Sequence, residues 1–118
     1  MTVRIEKQII EQMFADMRRR APWNIDAPSL WGYFFIGDAD KLKAIAESLV
    51  PIGYRLVELY EEGDEPSRLH LERVEPHTPE TLDARNLELD GMAGRFGVQY
   101  DGFDVGAPPA GAEKCRGT

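Results

Sequence analysis

Apolar residues recur along this chain with two different spacings, and these divide it into helices and strands. Between Val3 and Arg20, residues Ile5, Ile9, Ile10, Met13, Phe14 and Met17 follow a helical repeat with charges between them. The spacing predicts a helix over 3–20. It closes on Arg18-Arg19-Arg20, cations that suit the negative end of a helix dipole, and Pro22 blocks its continuation. Ser29 to Gly37, SLWGYFFIG, is short, aromatic and bounded by turn residues, which predicts a strand apolar on both faces. Asp38 then caps a helix with the stripe Leu42, Ile45, Ala46 and Leu49, stopped by Pro51 and Gly53. YRLVELYE and SRLHLERVE read as two strands of a hairpin around the turn EGDEP. In the second of them Leu69 and Leu71 face one way, and Arg68, His70 and Glu72 the other. Thr78 and Pro79 open a further helix, with Leu82, Leu89, Met92, Ala93 and Phe96 inward and Gly97 as its cap. Val98 to Asp101 make a last short strand, which Asp101-Gly102 turns away.

The order predicted is an extra N-terminal helix followed by strand–helix–strand–strand–helix–strand. That is the α+β, ferredoxin-like βαββαβ sandwich, with two helices on one face of a four-stranded antiparallel sheet. Residues 1–106 read as one domain and 107–118, rich in proline and glycine, as a flexible tail. In the first strand Leu30, Gly32, Phe34 and Ile36 point one way, and Trp31, Tyr33 and Phe35 the other. The second set is assigned to the face without helices. There an aromatic strip needs cover, either from the N-terminal helix or from a partner. Trp31, Tyr33 and Phe35 are therefore candidate protein-binding residues. Tyr100, Asp101 and Phe103 join them, because VQYDGFDVG has nothing beside it to make its carboxylates an acid–base pair.

Charge narrows the partner. The 118 residues carry a net charge of -7, distributed as +2 over residues 1–20, -10 over 21–106 and +1 over 107–118. An acidic body repels phosphate backbones and suits a basic protein. The strand SRLHLERVE has no aromatic on which a base could stack, so direct RNA binding by the sheet is set aside. The single cysteine, Cys115, allows no internal disulfide. Charges interrupt the first apolar runs, so neither a signal peptide nor a membrane anchor is expected, and the expected location is cytoplasmic. His70 and His77 are the only histidines, without CxxC or HExxH spacing, and DGFD lacks the ligand spacing of a calcium loop. No metal or cofactor is expected. Ser48, Ser67, Thr78 and Cys115 lack an accompanying base and orienter, so no catalytic residue is assigned. His70 with Glu72 or Glu58 is what an enzyme would have to use, with no nucleophile or pocket glycine beside them.

Two longer segments resemble a known family. FFIGDADKLKAIAESLVPIGYRL (Phe34 to Leu56) and TLDARNLELDGMAGRFGVQYDGFDVG (Thr81 to Gly106) are similar to the regulator of ribonuclease E activity B, or RraB, family. Gly53-Tyr54, Phe96 and Tyr100-Asp101-Gly102-Phe103 carry the likeness, which covers residues 30–106. The resemblance implies a non-enzymatic cytoplasmic protein with a ferredoxin-like fold. It also implies binding to the scaffold region of a ribonuclease E-like endoribonuclease, with reduced ribonuclease activity and an altered RNA degradosome. Family members with a long acidic C-terminal extension differ from this chain, whose tail is short and slightly basic. A ribonuclease-independent binding module, such as an antitoxin or immunity-type protein, stays open as the alternative, and so does a homodimer.

Overall fold

Local chemistry sets most element boundaries. The computed structural model describes residues 7–61, 63 and 66–108. Helix α1 (Lys7–Arg20) ends on its three arginines. Behind it, the connector is folded by side chains: Arg18 forks onto Asp26 at 3.0 and 3.1 Å, and the Trp23 indole donates to Ser29 Oγ at 2.8 Å. Helix α2 (Ala39–Leu49) starts where Asp38 accepts from the backbone N–H groups of Asp40 and Lys41. A short 3₁₀ turn, Val50–Ile52, carries Pro51 and ends it. Helix α3 (Pro79–Phe96) opens on a reciprocal cap between Thr78 and Thr81 and closes on Gly97 at φ 75°. A side chain is strained in that left-handed conformation. Gly97→Ala should therefore lower stability by about 1 kcal/mol in urea unfolding, and an unchanged midpoint would contradict the assignment.

Strands β1 (Ser29–Gly37), β2 (Arg55–Tyr60), β3 (Ser67–Glu75) and β4 (Gln99–Gly106) form one sheet in the order β2-β3-β1-β4. All neighbours are antiparallel, with Tyr33 opposite Leu71 on one side and Phe103 on the other. The described residues thus form an α+β structure with a four-stranded antiparallel sheet and three α-helices. Residues 3–6 of the expected first helix, and the expected tail from residue 109 on, lie outside the described residues.

The last strand is longer than the sequence suggested. Asp101-Gly102 does not end it. Gly102, at φ 113°, lies beside a register shift opposite Phe34 and Phe35, and pairing with β1 resumes through Gly106. A bulge and a turn ask for the same glycine, so local chemistry alone could not separate them.

The core lies between the sheet and the helices. Trp31, Tyr33, Phe35, Leu69, Leu71 and Tyr100 meet Leu42, Ile45 and Leu49 of α2, Leu82, Leu89 and Ala93 of α3, and Ile10 and Phe14 of α1. All three helices therefore share one face. The strip Trp31, Tyr33 and Phe35, expected on the face without helices, is the floor of this core. Alternation sorts a strand's side chains into two sets but does not say which set faces the helices when both are apolar. Phe14 of α1 stacks on Trp31 at 6.0 Å, so α1 joins the helical layer, and among the described residues no helix lies on the opposite face.

Candidate functional site

Two places gather polar side chains, one on each side of the sheet. The first is buried. Glu75 ends β3 in phase with Leu69 and Leu71, so its carboxylate points into the core side of the sheet. Four side chains hold it, two of them arginines. The Tyr33 hydroxyl donates to Oε2 at 2.5 Å, and His77 Nε2 approaches the same oxygen at 2.9 Å. Arg85 Nη2 donates to Oε1 at 2.8 Å, and Arg73 Nε lies 3.5 Å from it. A carboxylate only accepts, so His77 carries a hydrogen on Nε2 and turns Nδ1 to the Thr81 hydroxyl at 2.9 Å. Arg85 also grips Glu88 at 2.6 Å. The Tyr54 ring lies under the guanidinium groups of Arg73 and Arg85, at 5.1 and 5.7 Å.

This network borders a cleft of about 490 Å³ lined by Arg73, Glu75, His77, Thr81, Arg85 and Glu88. Burial alone would raise the Glu75 pKa. Its bonds to His77, Tyr33 and Arg85 outweigh burial and bring it down to about 2. Burial and the neighbouring Glu75 carboxylate push the Tyr33 phenol well above its ordinary range. Arg85 is opposed by burial but held up by Glu88 and Glu75. A carboxylate ionised far below neutrality, beside a phenol held far above it, does not exchange protons near pH 7. The arrangement ties β1, β3 and α3 together as a fixed ion-pair network.

The second place is the face without helices. His70 stacks on Phe34 at 4.4 Å, and the Arg68 guanidinium sits 4.8 Å from the same ring. Arg68 also approaches Asp101 at 3.7 Å. Gly32 leaves a shallow notch of about 210 Å³, because a side chain there would collide with His70 and Asp104. Of the two acids that an enzyme would pair with His70, Glu72 is engaged by Arg55 at 2.8 Å, and Glu58 sits across the β2–β3 ladder from His70. Among the described residues no group of three or more His, Cys, Asp or Glu side chains is placed to hold a metal ion.

The residues expected at a partner site divide sharply. Trp31, Tyr33, Phe35 and Tyr100 are interior, and the Tyr100 hydroxyl is bonded to Asn86 at 2.7 Å. None of these four presents a surface to another molecule. Phe103 is half-buried, its ring 5.9 Å from Trp31, and Asp101 is exposed. The Glu75 network was missed because its members are scattered over four segments. One signal for it does exist in the sequence. Glu75 keeps the phase of Leu69 and Leu71, which marks a carboxylate at a core position.

Fold and site together define a small α+β protein in which a buried ion-pair network centred on Glu75 ties the sheet to α3. A family model described as Regulator of ribonuclease activity B, RraB, matches residues 6–105, and the chain belongs to that family. The family is one of regulators, as the two segments around Gly53-Tyr54 and Tyr100-Asp101-Gly102-Phe103 implied. Comparison with curated proteins gives no match. No helix among the described residues is long and apolar enough to cross a membrane.

Proposed function

We propose that this chain is a non-enzymatic, cytoplasmic, protein-binding regulator that engages the scaffold region of a ribonuclease E-like endoribonuclease and modulates RNA turnover. The observation that carries the reading is the family match over residues 6–105, which runs from α1 almost to the end of β4. Charge supports it. The -10 carried by residues 21–106 would steer the protein toward a basic segment and away from RNA itself. We also read the fold as ferredoxin-like and residues 1–106 as one domain, a reading supported by the strand order β2-β3-β1-β4 with antiparallel neighbours. Asp101 is a candidate contact, exposed beside Arg68.

The test is capture of partners from a bacterial lysate by the tagged full chain, with and without prior digestion of RNA. A ribonuclease E-like enzyme should be retained in both arms, and adding the chain should slow cleavage of a reporter RNA. Retention that disappears with the RNA, or a preparation holding no ribonuclease or degradosome component, would sink the proposal.

A further inference from the structure

Strand β2 is the most exposed element of the sheet. It lies at one edge, paired only with β3, and among the described residues no strand lies outside it. Its sequence is RLVELY, yet Leu56 and Tyr60 are 47 % and 49 % exposed and Val57 is 39 % exposed. The turn just before it adds Val50 and Ile52, the latter 60 % exposed. Five of the seven large hydrophobic side chains counted as exposed among the described residues thus fall within residues 50–60. A soluble protein usually blunts such an edge with lysine, proline or a covering loop, because its outer backbone groups can template another strand. Here a register irregularity between Leu56 and Glu58 bends the edge, and Val57 remains exposed there. The opposite edge differs, since Phe103 and Val105 of β4 pack against the core.

Charge says what the edge accepts. Glu58 of β2 and Glu61 just past it are followed in the sequence by Glu62, Asp64 and Glu65. The one cation of β2, Arg55, is already engaged by Glu72 at 2.8 Å. A second copy of this chain would bring another body of the same -10 charge against the first, which disfavours self-pairing. An extended segment in which apolar and basic residues alternate meets both features. Its apolar side chains cover Leu56 and Val57, and its cations face Glu58 and Glu61. We propose that the outer edge of β2 is a docking strand, which takes an extended, basic–apolar segment of a partner protein as a further strand of the sheet.

The proposal names a surface for the protein-binding reading above, and the two fail separately. Lysate capture does not report which surface is used, and the following titration contains no ribonuclease. The isotopically labelled full chain is titrated with an end-blocked peptide of about eight residues alternating Lys and Val, a length that matches an ordinary strand. A Glu–Val peptide serves as the charge-reversed control. The Lys–Val peptide should shift the backbone amide signals of residues 55–60, and the Glu–Val peptide should bind at least about tenfold more weakly. Val57→Lys, which places a cation on the edge, should weaken binding about tenfold while amide signals outside β2 stay in place. If that variant misfolds, Leu56→Lys at the neighbouring exposed position gives the same reading. No binding, shifts centred on the face of Phe34 and His70, or equal binding of both peptides would each overturn the proposal. So would a dimer joined through β2 in sedimentation of the unliganded chain, since the occupant would then be a second copy.

Discussion

Replacing Glu75 with leucine should destabilise the protein by about 3–5 kcal/mol, because it removes the carboxylate that Arg73 and Arg85 share in a partly buried site and leaves Arg85 only its more exposed partner Glu88. The Tyr33 hydroxyl and His77 Nε2 lose their acceptor at the same stroke. Acid should distinguish this from loss of packing. The folded-state pKa of Glu75 is depressed to about 2 from an ordinary 4.5. Its stabilising contribution is therefore present above the unfolded value and is lost as pH falls from about 4.5 toward 2. Between about pH 7 and pH 3 this single group accounts for a loss of about 2 kcal/mol, which the Glu75→Leu variant no longer shows. Urea unfolding of both proteins at the two pH values measures the difference. Parallel pH profiles, or a variant within about 1 kcal/mol of the parent at neutral pH, would show that the network contributes little.

Trp31→Ala should be comparably severe, at about 3–5 kcal/mol, since the indole is fully buried among Phe14, His77 and Phe103. Leu56→Ala, on the exposed edge, should cost no more than about 0.5 kcal/mol. The contrast matters because the sequence reading makes Trp31 a candidate for the surface, whereas the structure buries it and exposes Leu56. If Trp31→Ala left stability intact and abolished only partner capture, the indole would belong to an interface and the burial described above would be wrong.

What the sequence revealed follows from how local each signal is. The starts of α2 and α3 were legible because Asp38 and Thr78 bond backbone N–H groups two or three residues away. The end of α3 was legible because Gly97 alone meets the demand of its left-handed cap. Leu69 and Leu71 were placed inward because their strand alternates with charged residues. SLWGYFFIG offers no such contrast, so nothing within it says which side the helices cover. That choice is made by tertiary packing, in which residues of all three helices, Phe14 of α1 among them, meet Trp31, Tyr33 and Phe35. The Glu75 network depends on tertiary structure in the same way. Tyr33 and Glu75 stand 42 positions apart in the chain, and their bond exists only once β1 and β3 have paired. The exposed edge of β2 was equally hidden, because YRLVELYE reads like any strand until its neighbours are counted.

The stacking of Phe14 on Trp31 also gives the molecule a built-in optical reporter. There are two tryptophans, and Trp23 is fixed in the connector by its bond to Ser29. Trp31 is shielded from water in part by α1, so lifting that helix would wet one indole while the strand pairing around it could persist. Emission colour would then follow the helix and far-ultraviolet ellipticity the remaining backbone. Comparing the two in a single unfolding experiment separates the undocking of α1 from the melting of the sheet, with no label attached.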